Sequence, residues 1–399
     1  MKIVWSGVHE RRKALNVLAH AVAITGRDGW SGVDRISVDV LGAGGRTKAW
    51  KRLVARLGLS DCFAWHGWLD KDHAKAVVSK SDVFVITSMH DLTSTVLLEA
   101  LSLGKPVICL DHCGFSDVVD ETCGIKIPVG KPKEVIKGFA AAIQRLADPT
   151  LRVRLSRGAL RRASEYAWSK KREDLANWLR PEWKKIVVGC YACSPYRGSE
   201  PGMGWNYLRA VAEGREVWAI VEKEKWQKDI EKFLAEHPNE MKSVHWVFVR
   251  KRRARLLRKL WPPSYYWFYR LWQVQAYQVA LGLHRTIGFD VAYQMNMVTF
   301  REPGYLWKLP IPFIWGPVGG LGYTDRRLLE LMGLLGVVEY AVRNTINWLH
   351  CHLMQRPRIA AVKAAATGTL IAATSENRRE MQKLWGVDAK VLCEIGVDG

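Results

Sequence analysis

The chain has 399 residues, with 60 Lys and Arg against 39 Asp and Glu and a formal charge of +21. That length calls for roughly two or three domains, because single cores stop growing near ~250 to 300 residues. A hydrophobic content of 48% excludes a disordered chain, and the sequence shows no collagen or coiled-coil period.

From Lys2 to about Leu146, short β-branched runs alternate with amphipathic helical patterns. Ile3–Trp5, Ile36–Leu41, Cys62–Trp65, Val83–Ile86 and Val107–Leu110 read as strands, with helices near 11–24, 46–57, 71–79 and 94–103. Continuous apolar strands separated by helices point to a parallel sheet covered on both faces, a Rossmann-like α/β domain. Residues 151–183 read as helical and basic, and Pro181 ends that stretch. A new first strand starts at Lys185, followed by the Gly-rich turn Gly198–Trp205 into a helix. Val217–Val221, Val244–Val249, Asp290–Tyr293, Ile311–Trp315, Leu370–Thr374 and Lys390–Cys393 continue the alternation as strands. The expected organisation is one α/β domain over 1–150, a helical join over 151–183 and a second α/β domain over 184–399.

The opening residues Met1–Trp5 meet His9, Glu10, Arg11, Arg12 and Lys13 before any apolar stretch develops, so no secretory leader is expected. The apolar segment 328–342 carries Glu330 and Glu339 and does not read as a membrane span. Eight irregularly spaced cysteines suit reduced thiols in the cytoplasm. Cys190 and Cys193 have redox-like spacing, and Cys109, His112, Cys113 and Cys123 are conceivable metal ligands. Both sets read better as small buried side chains.

Charge concentrates in Arg250–Arg253, Arg255, Arg258 and Lys259, which run into the aromatic stretch Trp261–Tyr269. Cations beside Trp and Tyr suit an anionic membrane surface. The same pairing suits single-stranded nucleic acid, a weaker expectation here. A solvated basic loop ahead of a core helix is the plainer alternative. The 19 Trp residues also hint at sugar handling.

Beyond the strand at 83–86 the chain carries Asp91, then Thr93, Ser94 and Thr95 at a helix start, then Glu99 within that helix. Ligands of open parallel sheets bind beyond the carboxyl ends of strands, and helix-start amides attract phosphate. Two carboxylates eight residues apart, one before the cap and one after it, can bracket a polar ligand. An ordinary cap with a buried, satisfied Glu accounts for the same spacing.

Asp91 and Glu99, followed by Ala100-Leu101-Ser102-Leu103-Gly104-Lys105-Pro106-Val107, resemble the acidic-x7-Glu signature of retaining, nucleotide-sugar-dependent glycosyltransferases of family 4. Gly7 with Lys13, Gly42-Ala43-Gly44, Trp65-His66-Gly67 and Ser81–Val85 are similar to further landmarks of that family, in its order. The resemblance implies the GT-B fold, two Rossmann-like domains facing across a cleft, and it covers most of residues 1–150, which in the family form the C-terminal domain. Tyr191–Pro195 with Gly198, Ser199, Glu200, Pro201 and Gly202, and Phe313–Pro317 with Val318, Gly319 and Gly320, resemble loops of the family's N-terminal domain. Glu394–Gly399 resembles the run before the interdomain hinge. The order is swapped, which implies a circular permutant whose residues 151–183 contain the family's crossing helices.

By this resemblance, Lys13 offsets pyrophosphate charge, Thr93, Ser94 and Thr95 surround the phosphates, Glu99 bonds the donor ribose, and Asp91 contacts the transferred sugar. Asp91 and Lys13 are the implied catalytic pair, and Gly198, Glu200, Gly202, Gly319 and Gly320 the acceptor-side loops. The implied reaction is transfer from a UDP or GDP sugar with retention, without metal or other cofactor, on an acceptor that is lipid-linked or a glycolipid. The protein is then cytoplasmic or peripheral on the inner membrane face. The sequence departs from the family at Val8, where an Arg is common, at Asp91 for Glu, and at Thr93-Ser94 for Phe-Gly. His is missing from the usual place after Asp290-Val291, with Gln294 or Asn296 nearby. Competing readings are a sugar phosphorylase of the same architecture and a non-catalytic binding protein for membrane or nucleic acid.

Overall fold

The computed structural model describes residues 1–27, 36–251 and 264–398. The described chain forms two compact α/β units: residues 1–167 with 323–348, and residues 168–322 with 349–398. Most of the basic-aromatic run, residues 252–263, lies outside the described residues.

In the first unit, β1 (Lys2–Ser6), β2 (Ser37–Leu41), β3 (Phe63–Gly67), β4 (Val83–Val85), β5 (Val107–Leu110) and β6 (Gly124–Ile127) make one sheet in the order β3-β2-β1-β4-β5-β6. Every pairing is parallel, as continuous apolar strands such as the fully buried β4 and β5 require. Strand β6 was not among the expected elements, because Gly124 and Lys126 interrupt its apolar pattern. The helices Leu15–Arg27, Thr47–Arg56, Lys71–Ser79, Thr95–Ser102 and Pro132–Arg145 lie between or after these strands. Trp50 and Val54, four apart in Thr47–Arg56, turn one stripe to the core. Asp70 caps Lys71–Ser79 by accepting from the His73 amide at 3.0 Å.

The late segment 323–348 completes this unit. Leu328, Leu329, Met332 and Tyr340 are buried in the same core as Leu15, Leu18 and Trp50. Asn16 Nδ2 donates to the Leu331 carbonyl at 3.0 Å, and Arg11 pairs with Glu339 at 3.2 Å. The opposite face of the helix Gly333–Leu353 is different: Leu334 is 80% exposed and Leu335 70%, with Val338, Val342, Ile346 and Trp348 also exposed.

The helical stretch expected over 151–183 is two helices, Pro149–Glu165 and Trp168–Trp178, one in each unit. The second is pinned within its own unit, where the Trp168 amide donates to the Val397 carbonyl at 3.0 Å and the buried Lys171 ammonium to the Cys393 carbonyl at 2.7 Å.

The second sheet opens at β7 (Lys185–Cys190) and continues through β8 (Glu216–Glu222), β9 (Val244–Val249), β10 (Val291–Asn296), β11 (Phe313–Val318), β12 (Leu370–Ala372) and β13 (Lys390–Val391). Its order is β13-β12-β11-β10-β7-β8-β9, again parallel. The expectation of two Rossmann-like parallel-sheet domains is met. Strand order reverses between β1 and β4 in one sheet and between β7 and β10 in the other, and such points open a crevice at the carboxyl ends of the strands.

Candidate functional site

The β1–β4 crevice is assembled by a relay that starts in the core. Trp5 Nε1 donates to Thr87 Oγ1 at 2.9 Å, and that hydroxyl donates to the Lys13 carbonyl at 2.7 Å. Lys13 ends the short helical turn Arg11–Lys13, which closes on Ala14 in the left-handed region with φ of 48°. The Lys13 ammonium pairs with the Asp91 carboxylate, and Arg12 stands 3.4 Å from the same carboxylate. Arg12 also donates to the His90 carbonyl at 3.0 Å and accepts from the Met89 amide at 2.8 Å. The Leu92 amide donates to Asp91 Oδ1 at 3.2 Å, so two cations and one amide define where Asp91 sits.

The far side of the loop is held by the turn that follows β5. His112 Nε2 donates to the Met89 carbonyl at 2.6 Å, which fixes the ring's tautomer, and the Gly114 amide donates to the Leu92 carbonyl at 2.8 Å. A Cβ at Gly114 would lie 2.4 Å from both the Leu92 carbonyl oxygen and Thr93 Oγ1, so only glycine permits this approach. Burial pushes both imidazoles down, His90 to about 4, and keeps them neutral at pH 7.

Thr93 and Ser94 are buried, and Ser94 is the N-cap of Thr95–Ser102 without any side-chain capping bond. The Leu97 amide donates to the Ser94 carbonyl at 2.9 Å, while the Thr95 and Val96 amides before it have no carbonyl partner within the helix, which leaves a phosphate-attracting end on the loop that follows Asp91. Glu99 is half-buried, one turn further on. The structure therefore joins Lys13 to Asp91 directly and places Thr93, Ser94, Thr95 and Glu99 on the loop and helix that follow.

In the second unit the flagged loops meet at the β7–β10 crevice. Gly198 is the N-cap of the helix Ser199–Ala212, and a Cβ at Gly202 would lie 2.4 Å from the Arg197 carbonyl oxygen. Glu200 accepts from the Val298 amide at 2.9 Å, and burial pushes its carboxyl up. The Val298 carbonyl accepts from the Gly319 amide at 2.6 Å, and Gly320 follows with φ of 85°. Asn296 is fully buried and donates to the Ala192 carbonyl at 2.7 Å, while Gln294 donates to the Asn296 carbonyl at 2.7 Å. Both side chains thus brace backbone carbonyls, and Gln294 Oε1 is buried without a hydrogen-bond partner.

Three features escaped sequence reasoning. Thr87 and Gly114 hold the first site through main-chain bonds, and neither type of residue signals that role. Lys251, read as one member of a basic run, is 5% exposed; it donates to Tyr191 Oη at 2.9 Å and lies 4.0 Å from the Tyr265 ring centre. Its signal was the aromatic stretch beginning shortly after it. The eight cysteines are free; Cys190 and Cys193 are fully buried, and burial pushes the Cys193 thiol up.

Residues 1–148 match the family model described as glycosyl transferases group 1. The chain is 31% identical over 174 residues to a D-inositol 3-phosphate glycosyltransferase of Streptomyces bingchenggensis, covering 42% of this chain and 37% of that protein. It is 34% identical over 141 residues to the lipopolysaccharide core biosynthesis glycosyltransferase LpsD of Rhizobium meliloti, covering 33% and 39%. The catalytic domain of cholesterol-α-glucosyltransferase from Helicobacter pylori aligns with a TM-score of 0.36 and 21% identity, over 42% of this chain and 99% of that one. The chain thus spans well under half the length of the curated relatives it matches. The segment that matches the group 1 glycosyl transferases is the one that contains β1 to β6 and the Lys13–Asp91 site.

Proposed function

We propose that this chain transfers a sugar from a UDP or GDP donor to an acceptor with retention of configuration, and that the donor binds in the first unit. The observation that carries the reading is the Lys13–Asp91 pair beside the uncapped helix start at Ser94, within a segment matching the group 1 family. On donor binding, Lys13 exchanges Asp91 for the diphosphate, the amides near Thr95 donate to phosphate oxygens, and Glu99 accepts from the ribose hydroxyls. Asp91, released from Lys13, faces hydroxyls of the transferred sugar. Catalysis then comes from positioning and from stabilising the departing diphosphate, with Lys13 and amide dipoles carrying charge in place of a metal.

The loops at Gly198, Glu200, Gly202, Gly319 and Gly320 serve the acceptor. A lipid-linked acceptor at an anionic membrane surface is favoured by the exposed face of Gly333–Leu353, where Leu334, Leu335, Val338, Val342, Ile346 and Trp348 offer insertable side chains and Arg343 a cation. Among the described residues no helix is long and apolar enough to cross a membrane, so this reading is of surface docking. The relative LpsD is named for lipopolysaccharide core biosynthesis, which accords with it. The order of the two sequence halves we read as a circular permutation of the family's order.

Thermal shift with UDP and GDP sugars tests the donor site. A ligand at a hundred times its Kd stabilises by ~2.7 kcal/mol. Stabilisation of the parent and none of Glu99→Ala is expected; equal stabilisation of both would remove Glu99 from the site. The anomeric configuration of the product, read by NMR, decides retention.

A further inference from the structure

The outward face of the helix Pro149–Glu165 carries charge that nothing described in its own unit answers. The inward face is firmly fixed: Leu155, Ala159 and Ala163 are buried, a Cβ at Gly158 would collide with the Thr122 carbonyl, and Asp148 caps the start by accepting from the Thr150 amide at 2.8 Å. Two of the helix's arginines serve that fixation. Arg152 donates to the Leu146 and Ala147 carbonyls at 2.7 and 2.8 Å, and Arg162 donates to the Val118 carbonyl at 2.8 Å and stands 3.7 Å from Asp120.

Arg154, Arg157 and Arg161 are different. All three are exposed, and among the described residues none of their side chains makes a hydrogen bond or ion pair. At i, i+3 and i+7 they form one line about 10 Å long, so like charges stand a turn apart at a cost of about 0.2–0.5 kcal/mol per pair. Val153 and Leu160 flank Arg157 on the adjoining line and are 53% and 51% exposed. Pro149, Thr150, Val153 and the three arginines line a groove of about 590 Å³.

We propose that this groove docks an acidic amphipathic helix of another protein, whose carboxylates at helical spacing meet Arg154, Arg157 and Arg161 and whose aliphatic edge covers Val153 and Leu160. The match is one of charge and period. Guanidiniums take carboxylates through two parallel hydrogen bonds, and an acidic helix repeats its carboxylates at the interval the arginines keep. A second copy of this chain does not fit, because copies at +21 repel. Single-stranded nucleic acid needs rings on which bases stack, and the exposed residues of this helix include none. A bilayer needs a broad insertable face, which two aliphatic side chains beside a cationic groove do not make. Docking here is separate from the transfer reading and is measured without nucleotide sugar.

Fluorescence anisotropy of the full chain with a labelled peptide tests it. The peptide is a helix of about 18 residues, long enough to hold that form, built from Ala, Leu and Glu with Glu at i, i+3 and i+7 and Leu along the adjoining line. Its controls are a scrambled isomer of equal charge and a version with Gln for Glu. The parent should bind the helical Glu peptide at least tenfold more tightly than either control. Arg154→Ser with Arg157→Ser should weaken it at least tenfold, and Val153→Ser with Leu160→Ser at least threefold, both at the parent's urea midpoint. Charge exchange excludes misfolding as the cause: Arg157→Glu should lose the Glu peptide and bind one with Lys at the middle acidic position at least tenfold more tightly. Lys13→Ala should bind like the parent. Equal binding of the three peptides, parent-like binding by either paired variant, failure of the exchange, or loss in Lys13→Ala overturns the proposal. So does tighter binding to oligouridylate, or to phosphatidylcholine vesicles containing phosphatidylglycerol, that the paired arginine variant removes, since the groove then belongs to nucleic acid or to membrane.

Discussion

The Lys13 ammonium closes on the Asp91 carboxylate across 78 residues of sequence, joining the loop after β1 to the loop after β4. In the proposed reaction each of these groups has another partner, Lys13 the diphosphate and Asp91 the sugar. The pair therefore orders the two loops and competes with the donor for Lys13.

That competition separates the nucleotide from the sugar. Asp91→Ala should bind UDP or GDP at least as tightly as the parent, since Lys13 is released, yet lose at least 100-fold in transfer. Calorimetry with the free nucleotide and a product assay with the nucleotide sugar check both halves. Weaker nucleotide binding in Asp91→Ala would place Asp91 on the phosphates.

Gly114→Ala tests the packing that aims the Asp91 loop. The added methyl meets two oxygens at 2.4 Å, one of them backbone, so the loop must shift. Overpacking of this kind costs about 1–3 kcal/mol. A lower urea midpoint and at least tenfold weaker donor binding are expected. Gly45→Ala, with nothing within 4 Å of the added atom, is the matched control and should change neither.

His90 makes the first unit sensitive to acid. Its folded pKa, pushed down to about 4 by burial, lies below the ordinary value of 6.5, so the unfolded chain binds the extra proton between these values. Stability from the neutral ring is present above about pH 6.5 and is lost as pH falls toward 4. Linkage gives a loss of about 2 kcal/mol between pH 7 and pH 5. Urea denaturation at the two values measures it, and His90→Gln should flatten the difference.

Membrane docking has its own readout. Co-sedimentation with anionic vesicles should exceed that with neutral ones, because each surface cation is worth about 1 kcal/mol near an anionic bilayer. Leu334→Ser with Val338→Ser should reduce it through lost insertion, and replacing Arg252, Arg253, Arg255 and Arg258 by Ser should reduce its charge dependence. Weak, equal binding to both vesicle types beside tight binding to single-stranded RNA would favour a nucleic-acid role.

Both sheets were legible because buried parallel strands are uninterrupted apolar runs, such as Val83–Val85 and Val107–Leu110, bounded by turns. Strand β6 was not, since an edge strand of four residues with Gly124 and Lys126 has too little pattern to stand out. In the site, Lys13, Asp91 and Glu99 carry charge at telling places in a loop and a helix. The supports of that loop do not announce themselves. Thr87, His112 and Gly114 act by where their hydrogen bonds fall, and a bond from the His112 ring to the Met89 carbonyl leaves no trace in composition or period. The 323–348 segment was equally silent, because its apolar stripe states only that some core receives it.

The lateness of that segment bears on synthesis at the ribosome. Residues 1–167 emerge first, yet Leu328, Leu329, Met332 and Tyr340 reach the same core only after 168–322 have been made. At bacterial-to-eukaryotic elongation rates of ~5–20 residues per second, that delay is roughly 8–30 s. For this interval the nascent unit shows the apolar surface around Leu15 and Trp50 that its last helices will cover, and it is then a natural client for chaperones. A ribosome-stalled fragment ending before residue 323 should carry trigger-factor-type chaperone that one extending past 348 has released.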